Sequence, residues 1–168
     1  MLTLRPAIPA DALAVATVHV RSWQAGYRGL LADEYLDSLR ADDRAKHYAF
    51  GSADPALPST VVAELDGGIC GFASIGASRE LGPDTGELLA LYIDPGAWGV
   101  GAGRALVQDA RARMHARGLT DAVLWILDGN TRAERFYRID GWIADDVART
   151  VTLWGIEILE HRFRRQLP

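Results

Sequence analysis

The sequence predicts a mixed α+β fold in which helices pack on the faces of one sheet. Apolar and amphipathic segments follow one another in the order β-α-α-β-β-β-α-β-α-β-β along the 168 residues. The turn residues Asp66-Gly67-Gly68 separate two apolar segments, a pattern typical of a β-hairpin. Residues 87–93 form an almost continuous apolar run, which indicates a strand buried on both faces.

The first half of the chain contributes a strand, helical segments and the hairpin. Asp11 is the expected N-cap of the first long helix because a side-chain oxygen there accepts a free backbone N–H. Leu13, Ala16, Thr17 and Val20 mark its predicted apolar face. The predicted elements are a strand at 2–5, a helix from 9 to the break at 26–29, helices at 33–39 and 42–50, and strands at 60–65 and 69–77.

The second half alternates strands and helices. The apolar face of one helix is formed by Leu106, Val107, Ala110 and Met114, with spacing typical of an amphipathic helix. Trp154-Gly155 separates two alternating segments and predicts a final hairpin. The predicted elements are strands at 87–93, 122–127, 150–153 and 156–163 and helices at 104–117 and 131–139.

Composition restricts the class of protein. Hydrophobic residues make up 49% of the chain, and the net charge of −4 argues against nucleic acid as a partner. No apolar run reaches membrane-spanning length, and no Cys/His cluster has zinc spacing, so neither a membrane nor a metal is expected. Cys70 is the only cysteine, which favours a cytoplasmic protein. We expect one domain over residues 1–168.

The most informative segment joins the strand at 87–93 to the helix at 104–117. Gly99, Gly101 and Gly103 alternate there, and glycine permits positive φ angles and close approach of a ligand to the backbone. Free N–H groups at the following helix start favour an anion such as phosphate. A P-loop is excluded because no lysine follows. A dinucleotide fingerprint fails in both registers, since Arg104 and Leu106 occupy its last glycine position.

A second block lies one helix and one strand further on. It contains Asn130, Ala133 three residues later, and the pairs Phe136-Tyr137 and Gly141-Trp142. In this order and spacing the two blocks resemble the bacterial GNAT family of N-acetyltransferases. That family's phosphate loop reads Gln or Arg, two residues, Gly, one residue, and Gly or Ala. Trp98 departs from the first position of this pattern. The resemblance covers residues 2–165 and is strongest over 86–142.

The resemblance implies the GNAT acyl-CoA N-acyltransferase fold, whose mostly antiparallel sheet splays open beside its central strand. It also implies acetyl-CoA as cosubstrate, bound in that gap, and a primary amine of a small molecule or peptide as acceptor. A homodimer is expected because the last strands of the family often pair or pack across a two-fold axis. The positions that match cofactor contacts are Leu91, Tyr92, Ile93, Trp98, Gly99, Val100, Gly101, Ala102, Gly103, Arg104, Asn130, Ala133, Phe136 and Tyr137.

Two positions match catalytic residues of the family. Glu87 corresponds to a general-base glutamate in histone-acetylating relatives, and Tyr137 to a tyrosine that protonates the departing CoA thiolate. The alternatives are a surface carboxylate at a strand start for Glu87 and a packed aromatic side chain for Tyr137. Asn130 is expected to bond the pantetheine arm, to cap the following helix, or both.

The acceptor site is expected from the N-terminal helices. Trp23 and Tyr27 are four residues apart, so they share a helix face and could form an aromatic wall for an amine. Core packing is the alternative for Trp23. At the level of function, two alternatives to acetyl transfer stay open. One is a regulatory CoA-binding module without turnover, and the other is an acyltransferase that prefers a larger acyl group.

Overall fold

A computed structural model describes all residues, 1–168, as seven strands and five helices. The strands are β1 (Leu2–Pro6), β2 (Ser59–Leu65), β3 (Gly68–Ser78), β4 (Gly82–Ile93), β5 (Asp121–Leu127), β6 (Ile143–Leu153) and β7 (Ile156–Gln166). The helices are α1 (Ala12–Gly26), α2 (Asp33–Ser38), α3 (Ala41–Ala45), α4 (Ala102–Ala116) and α5 (Thr131–Ile139). Short 3₁₀ turns lie at Pro9–Asp11 and Pro95–Ala97. No helix is both long and apolar enough to cross a membrane.

The seven strands form one sheet in the order β1-β2-β3-β4-β5-β7-β6. Every neighbouring pair is antiparallel except β4 and β5, which run parallel and pair only from Thr85–Asp121 to Glu87–Val123. Beyond Glu87 the two strands separate. The structure therefore confirms the mixed, mostly antiparallel sheet and its splay between the central strand and the strand after α4.

Helices cover both faces of this sheet. On one face, Leu106, Val107, Ala110 and Met114 of α4 are buried in the larger core cluster. On the other face, Val15 and Val18 of α1 pack with residues of β2 and β3. Full burial of one aliphatic side chain stabilises the folded state by about 1.5–3 kcal/mol. The apolar face of α4 therefore supplies much of the free energy that holds this helix on the sheet.

One glycine explains how closely α4 approaches β4. A Cβ atom built on Gly86 would lie 2.6 Å from the Met114 sulfur and 3.2 Å from Leu119 Cδ1. Met114 itself is fully buried. The absence of a side chain at residue 86 thus lets α4 sit directly over the point where β4 and β5 begin to part.

Several predicted details were wrong. Leu13 and Thr17 are exposed, because α1 turns the face that carries Val15, His19 and Trp23 toward the sheet. The Asp11 side chain does not cap α1; it accepts the N–H of Ile8 and pairs with Arg5.

Some predicted boundaries were also displaced. The helix predicted at 42–50 ends at Ala45, and the strand predicted from Glu87 begins five residues earlier, at Gly82. β6 begins at Ile143 rather than at residue 150. The other predicted strands and helices lie within about three residues of their observed bounds.

Candidate active site

The separation of β4 from β5 opens a cavity of about 760 Å³. Residues from Glu87 to Tyr92 on β4 and from Leu124 to Leu127 on β5 form two of its walls. Because strand pairing stops at Glu87, backbone groups on the facing edges lack the ladder partners that a continuous sheet would supply. This gap is therefore suited to an extended ligand that carries amide groups of its own.

The glycine loop lies at the far end of β4, where α4 begins. Gly99 has a φ of 87° and Gly101 a φ of 91°, and Gly101 directly precedes the first residue of α4. A Cβ at either position would touch nothing, so glycine is required there for its backbone conformation and not for space. The first N–H groups of the 15-residue helix α4 have no carbonyl partner within the helix and can bind an anion.

Trp98, the departure from the expected loop pattern, has a defined role in the structure. Its indole Nε1 donates a hydrogen bond to the Ile93 carbonyl at 3.1 Å. The guanidinium carbon of Arg132 lies 3.4 Å from the centre of the Trp98 ring, a cation–π contact. Trp98 thus holds a positive charge from α5 beside a loop that has no cation of its own at the first motif position.

The remaining loop residues differ in what they contact. Ala102 is buried in the core, whereas Val100 and Arg104 are exposed. A Cβ on Gly103 would lie 3.4 Å from the Phe136 ring, so Gly103 marks the close packing of α4 against α5. Ile93 faces Gly103 and does not line the cavity.

Asn130 caps α5 and also lies at the cavity, where its side chain could bond a ligand. Its side-chain oxygen accepts the N–H of Ala133 at 3.1 Å, which caps α5. Asn130 and Ala133 also line the cavity, together with Leu91 and Tyr92. The capping bond fixes the start of α5 relative to the gap and so positions Tyr137, about two turns further along the helix.

Glu87 lies in the interior of β4, not at a surface strand start. Only 6% of the residue is exposed, and it lines the cavity. Burial raises the pKa of the Glu87 carboxyl, and the positive charge of Arg149 opposes that effect. Arg149 itself pairs with Glu80 at 2.6 Å and with Glu160 at 2.9 Å, which leaves Glu87 as the wall's carboxylate without an ion-pair partner.

Tyr137 projects from α5 into the same cavity. Its ring packs edge-on against Phe136 and Trp142, with centroid distances of 5.0 and 6.2 Å. Burial raises the pKa of the Tyr137 phenol well above its usual value, and the nearby Tyr92 and Asp140 add to the effect. The side chain is therefore a phenol, able to donate a proton, throughout the neutral pH range.

Aromatic side chains from the end of α1 form a further wall of the cavity. Trp23 and Tyr27 lie 4.9 Å apart between ring centroids, and both line the cavity. Trp23 is also 97% buried by the rest of the protein, its exposed fraction being 3%, so core packing and lining coexist in one side chain. The Trp154 ring at the β6–β7 turn stacks 4.3 Å from Trp23.

Sequence reasoning missed many of the side chains that line this cavity, among them His19, Arg44, Trp154 and Glu160. His19 donates to or accepts from the Tyr48 hydroxyl, and burial, aided by the charge of Arg44, lowers the pKa of His19 well below its usual value. The i, i+4 spacing of His19 and Trp23 was a signal for His19. Trp154 and Glu160 lie on the last hairpin, more than a hundred residues from α1, so no local pattern links them to it.

The chain resembles known proteins over most of its length. Residues 20–142 match the model of the Acetyltransferase (GNAT) family. The uncharacterized N-acetyltransferase YuaI of Bacillus subtilis is 32% identical over 133 residues, which are 77% of this chain and 74% of that protein. The mycothiol acetyltransferase of Thermobispora bispora is 32% identical over 113 residues, and the match spans 65% of this chain but only 34% of that protein.

Solved structures share the fold. The PaiA N-acetyltransferase of Thermoplasma acidophilum, in complex with coenzyme A, superimposes with a TM-score of 0.77 at 19% identity over 99% of both chains. YncA of Salmonella typhimurium, with acetyl-CoA, gives a TM-score of 0.73 at 21% identity over 100% of this chain and 95% of its own. With the family match and the relation to YuaI, these findings show that the chain belongs to the GNAT family of acetyltransferases and is an acyltransferase enzyme.

Proposed function

We propose that this acetyltransferase moves the acetyl group of acetyl-CoA to a primary amine by direct attack in a ternary complex. The observation that carries the proposal is the placement of Glu87 and Tyr137 on one cavity, at the gap between β4 and β5. One side chain can take a proton and the other can give one. The chemistry of amine acetylation requires both transfers.

The roles of the protein's own residues follow from their protonation. An alkyl ammonium has a pKa of about 10.4, so at neutral pH it must lose a proton before its nitrogen can attack. Glu87 accepts that proton, directly or through one water, and its raised pKa makes it a stronger base than an exposed carboxylate. Bound acetyl-CoA supplies the thioester carbonyl. As the new C–N bond forms and the C–S bond breaks, Tyr137 donates its phenolic proton to the sulfur. The second proton that the nitrogen loses on becoming an amide restores the phenol.

Direct attack is favoured over a covalent acetyl-enzyme by the state of the only thiol. Cys70 is a free, buried cysteine with an exposed fraction of 7%. Burial raises the pKa of the Cys70 thiol. Since the thiolate is the reactive form of cysteine, this side chain is a poor nucleophile.

The glycine loop and the start of α5 are the proposed phosphate site. Backbone N–H groups around Gly101 offer hydrogen bonds, and Arg132, stacked on Trp98, adds the positive charge. Arg132 takes part in none of the ion pairs of the protein, so its charge is not neutralised by a carboxylate. It thereby compensates for the missing Gln or Arg at position 98.

Acetyl-CoA and CoA are expected to raise the Tm, whereas NAD and ATP are not. A ligand at 100 times its Kd stabilises the folded state by about 2.7 kcal/mol, which corresponds to roughly 2–4 °C for a protein of this size.

In the same assay the variant Arg132→Ala is expected to bind CoA several-fold more weakly. The loss of affinity should become smaller as added salt screens the charge. The measurement is a thermal shift series, with calorimetry for the variant.

Arg135→Ala is the matched control, because Arg135 lies one turn further along α5 and does not stack on Trp98. Equal effects of the two substitutions would remove Arg132 from the phosphate site. No shift with either CoA form, from a folded sample, would contradict the proposed cosubstrate.

A further inference from the structure

Arg44 of α3 is a cation in the wall of the cavity that no carboxylate neutralises. It lines the cavity together with His19 and Trp154, and it belongs to none of the ion pairs in the protein. Its Nε atom is fully buried and has no hydrogen-bond partner. The charge of Arg44 and its terminal N–H groups are therefore available to an anionic ligand in the cavity.

The surroundings of Arg44 fix its orientation. The guanidinium carbon lies 4.5 Å from the centre of the Trp154 ring and 5.2 Å from that of Tyr48. Tyr48 is held in turn by its hydrogen bond with His19. Aromatic rings beside a guanidinium contact its flat sides, and the terminal N–H groups of a guanidinium match the two oxygens of a carboxylate.

The other charges of the cavity do not offset Arg44. Glu160 is neutralised by Arg149, and Arg149 also acts on Glu87. Burial lowers the pKa of His19 well below its usual value, so that imidazole is neutral. Arg44 belongs to α3 and Glu87 to β4, and the two side chains form no ion pair with each other. Arg44 and Glu87 therefore form two separate polar points of one cavity.

We infer that the acceptor is a small amine that also carries a carboxylate, which Arg44 binds while the amine faces Glu87. This inference rests on the proposed function and specifies its substrate class. The same cavity of about 760 Å³ also has to take the acyl end of acetyl-CoA, so the room left over favours a small acceptor. The rings of Trp23, Tyr27 and Trp154 would cover the apolar part of such a molecule. A polyamine, with a second positive charge in place of the carboxylate, would be repelled by Arg44.

The test compares matched acceptors on the same enzyme preparation. Each of the common amino acids is assayed beside its primary amide and its decarboxylated amine, with acetyl-CoA saturating and CoA release as the readout. We expect kcat/KM for the best amino acid to exceed that for its amide and amine by roughly tenfold or more, the range of a hydrogen-bonded charge. In Arg44→Gln that preference is expected to fall to about twofold or less, and in Arg44→Lys to an intermediate value.

The preference is a ratio within one preparation, so partial unfolding of a variant does not change it. Lys46→Gln is the matched control, since Lys46 lies two residues away, is exposed and pairs only with Asp43. It should keep the wild-type preference. Amides or simple amines that react as well as the acids, a preference that survives Arg44→Gln, or no reaction with any amino acid would each overturn the inference. Acetyl-CoA binding, measured separately, shows whether the proposed function fails with it.

Discussion

Replacing Tyr137 by phenylalanine is expected to lower kcat by about a hundredfold, a typical loss when a general acid is removed. The Kd for CoA should change little, because the phenylalanine ring keeps the contacts with Phe136 and Trp142. The physical reason is the proton. Burial keeps Tyr137 in its phenol form, and without that phenol the leaving sulfur must depart as a thiolate or find a proton in water.

Initial-rate kinetics and calorimetric titration of CoA provide the measurement for this variant. A purely structural role for Tyr137 would raise KM or lower the Tm and leave kcat nearly constant. Turnover equal to that of the wild type would exclude Tyr137 from the chemical step, and the proton donor would then have to be water or another group.

Glu87→Gln should also lower the rate by about a hundredfold near neutral pH, the range expected for a lost general base. The deficit should shrink as pH rises toward the pKa of the amine, about 10.4, because free amine then forms without a base. The measurement is kcat/KM for both proteins from pH 6 to 10.

Stability gives an independent readout for Glu87. Its pKa is raised in the folded state, so the stability that its protonated form contributes is lost as pH rises through that pKa. Above it the buried charge opposes folding, and the uncharged Glu87→Gln variant should have an equal or higher Tm than the wild type at pH 8. Asp84→Asn, an exposed carboxylate on the same strand, is the control and should leave the rate unchanged. A pH profile parallel to that of the wild type would contradict the role of a base.

Features encoded within a few residues were predictable from the sequence. The hairpin at Asp66-Gly67 depends on two consecutive residues with φ values of 50° and 88°, a conformation that glycine and aspartate tolerate. The helix start at Gly101 and the capping residue Asn130 are equally local. Their order and spacing carried the resemblance to the GNAT family, and that resemblance implied the splayed sheet.

Features that depend on packing were not predictable. Which face of α1 is buried is decided by the strands beneath it. Val15 packs with residues of β2 and β3, His19 lies against rings of β3 and β4, and Leu13 is left exposed. Aspartate is a common N-cap residue, but the carboxylate of Asp11 pairs with the guanidinium of Arg5 and does not cap α1. This pairing holds the pKa of the Asp11 carboxyl below its usual value. The ion pair with Arg5 thus outweighs the local preference of aspartate for the capping position.

The part of the cavity that we propose for the acceptor shows the same limit. Arg44, Trp154 and Trp23 come from α3, the β6–β7 turn and α1, and only the complete sheet brings them together. In the sequence, Trp98 is only a departure from the GNAT phosphate-loop pattern. Its partner Arg132 lies 34 positions later, and their contact forms only when α5 is packed beside the glycine loop.

The most direct test of the central claim is transfer of label from acetyl-CoA labelled at the acetyl carbonyl. The protein is incubated with and without an acceptor amine, then denatured and separated from small molecules. We predict label on the amine nitrogen in an amount equal to the CoA released, and none on the protein. Label retained by the protein would contradict direct attack, and bound acetyl-CoA that acetylates no amine would contradict transfer itself and favour a regulatory CoA-binding module.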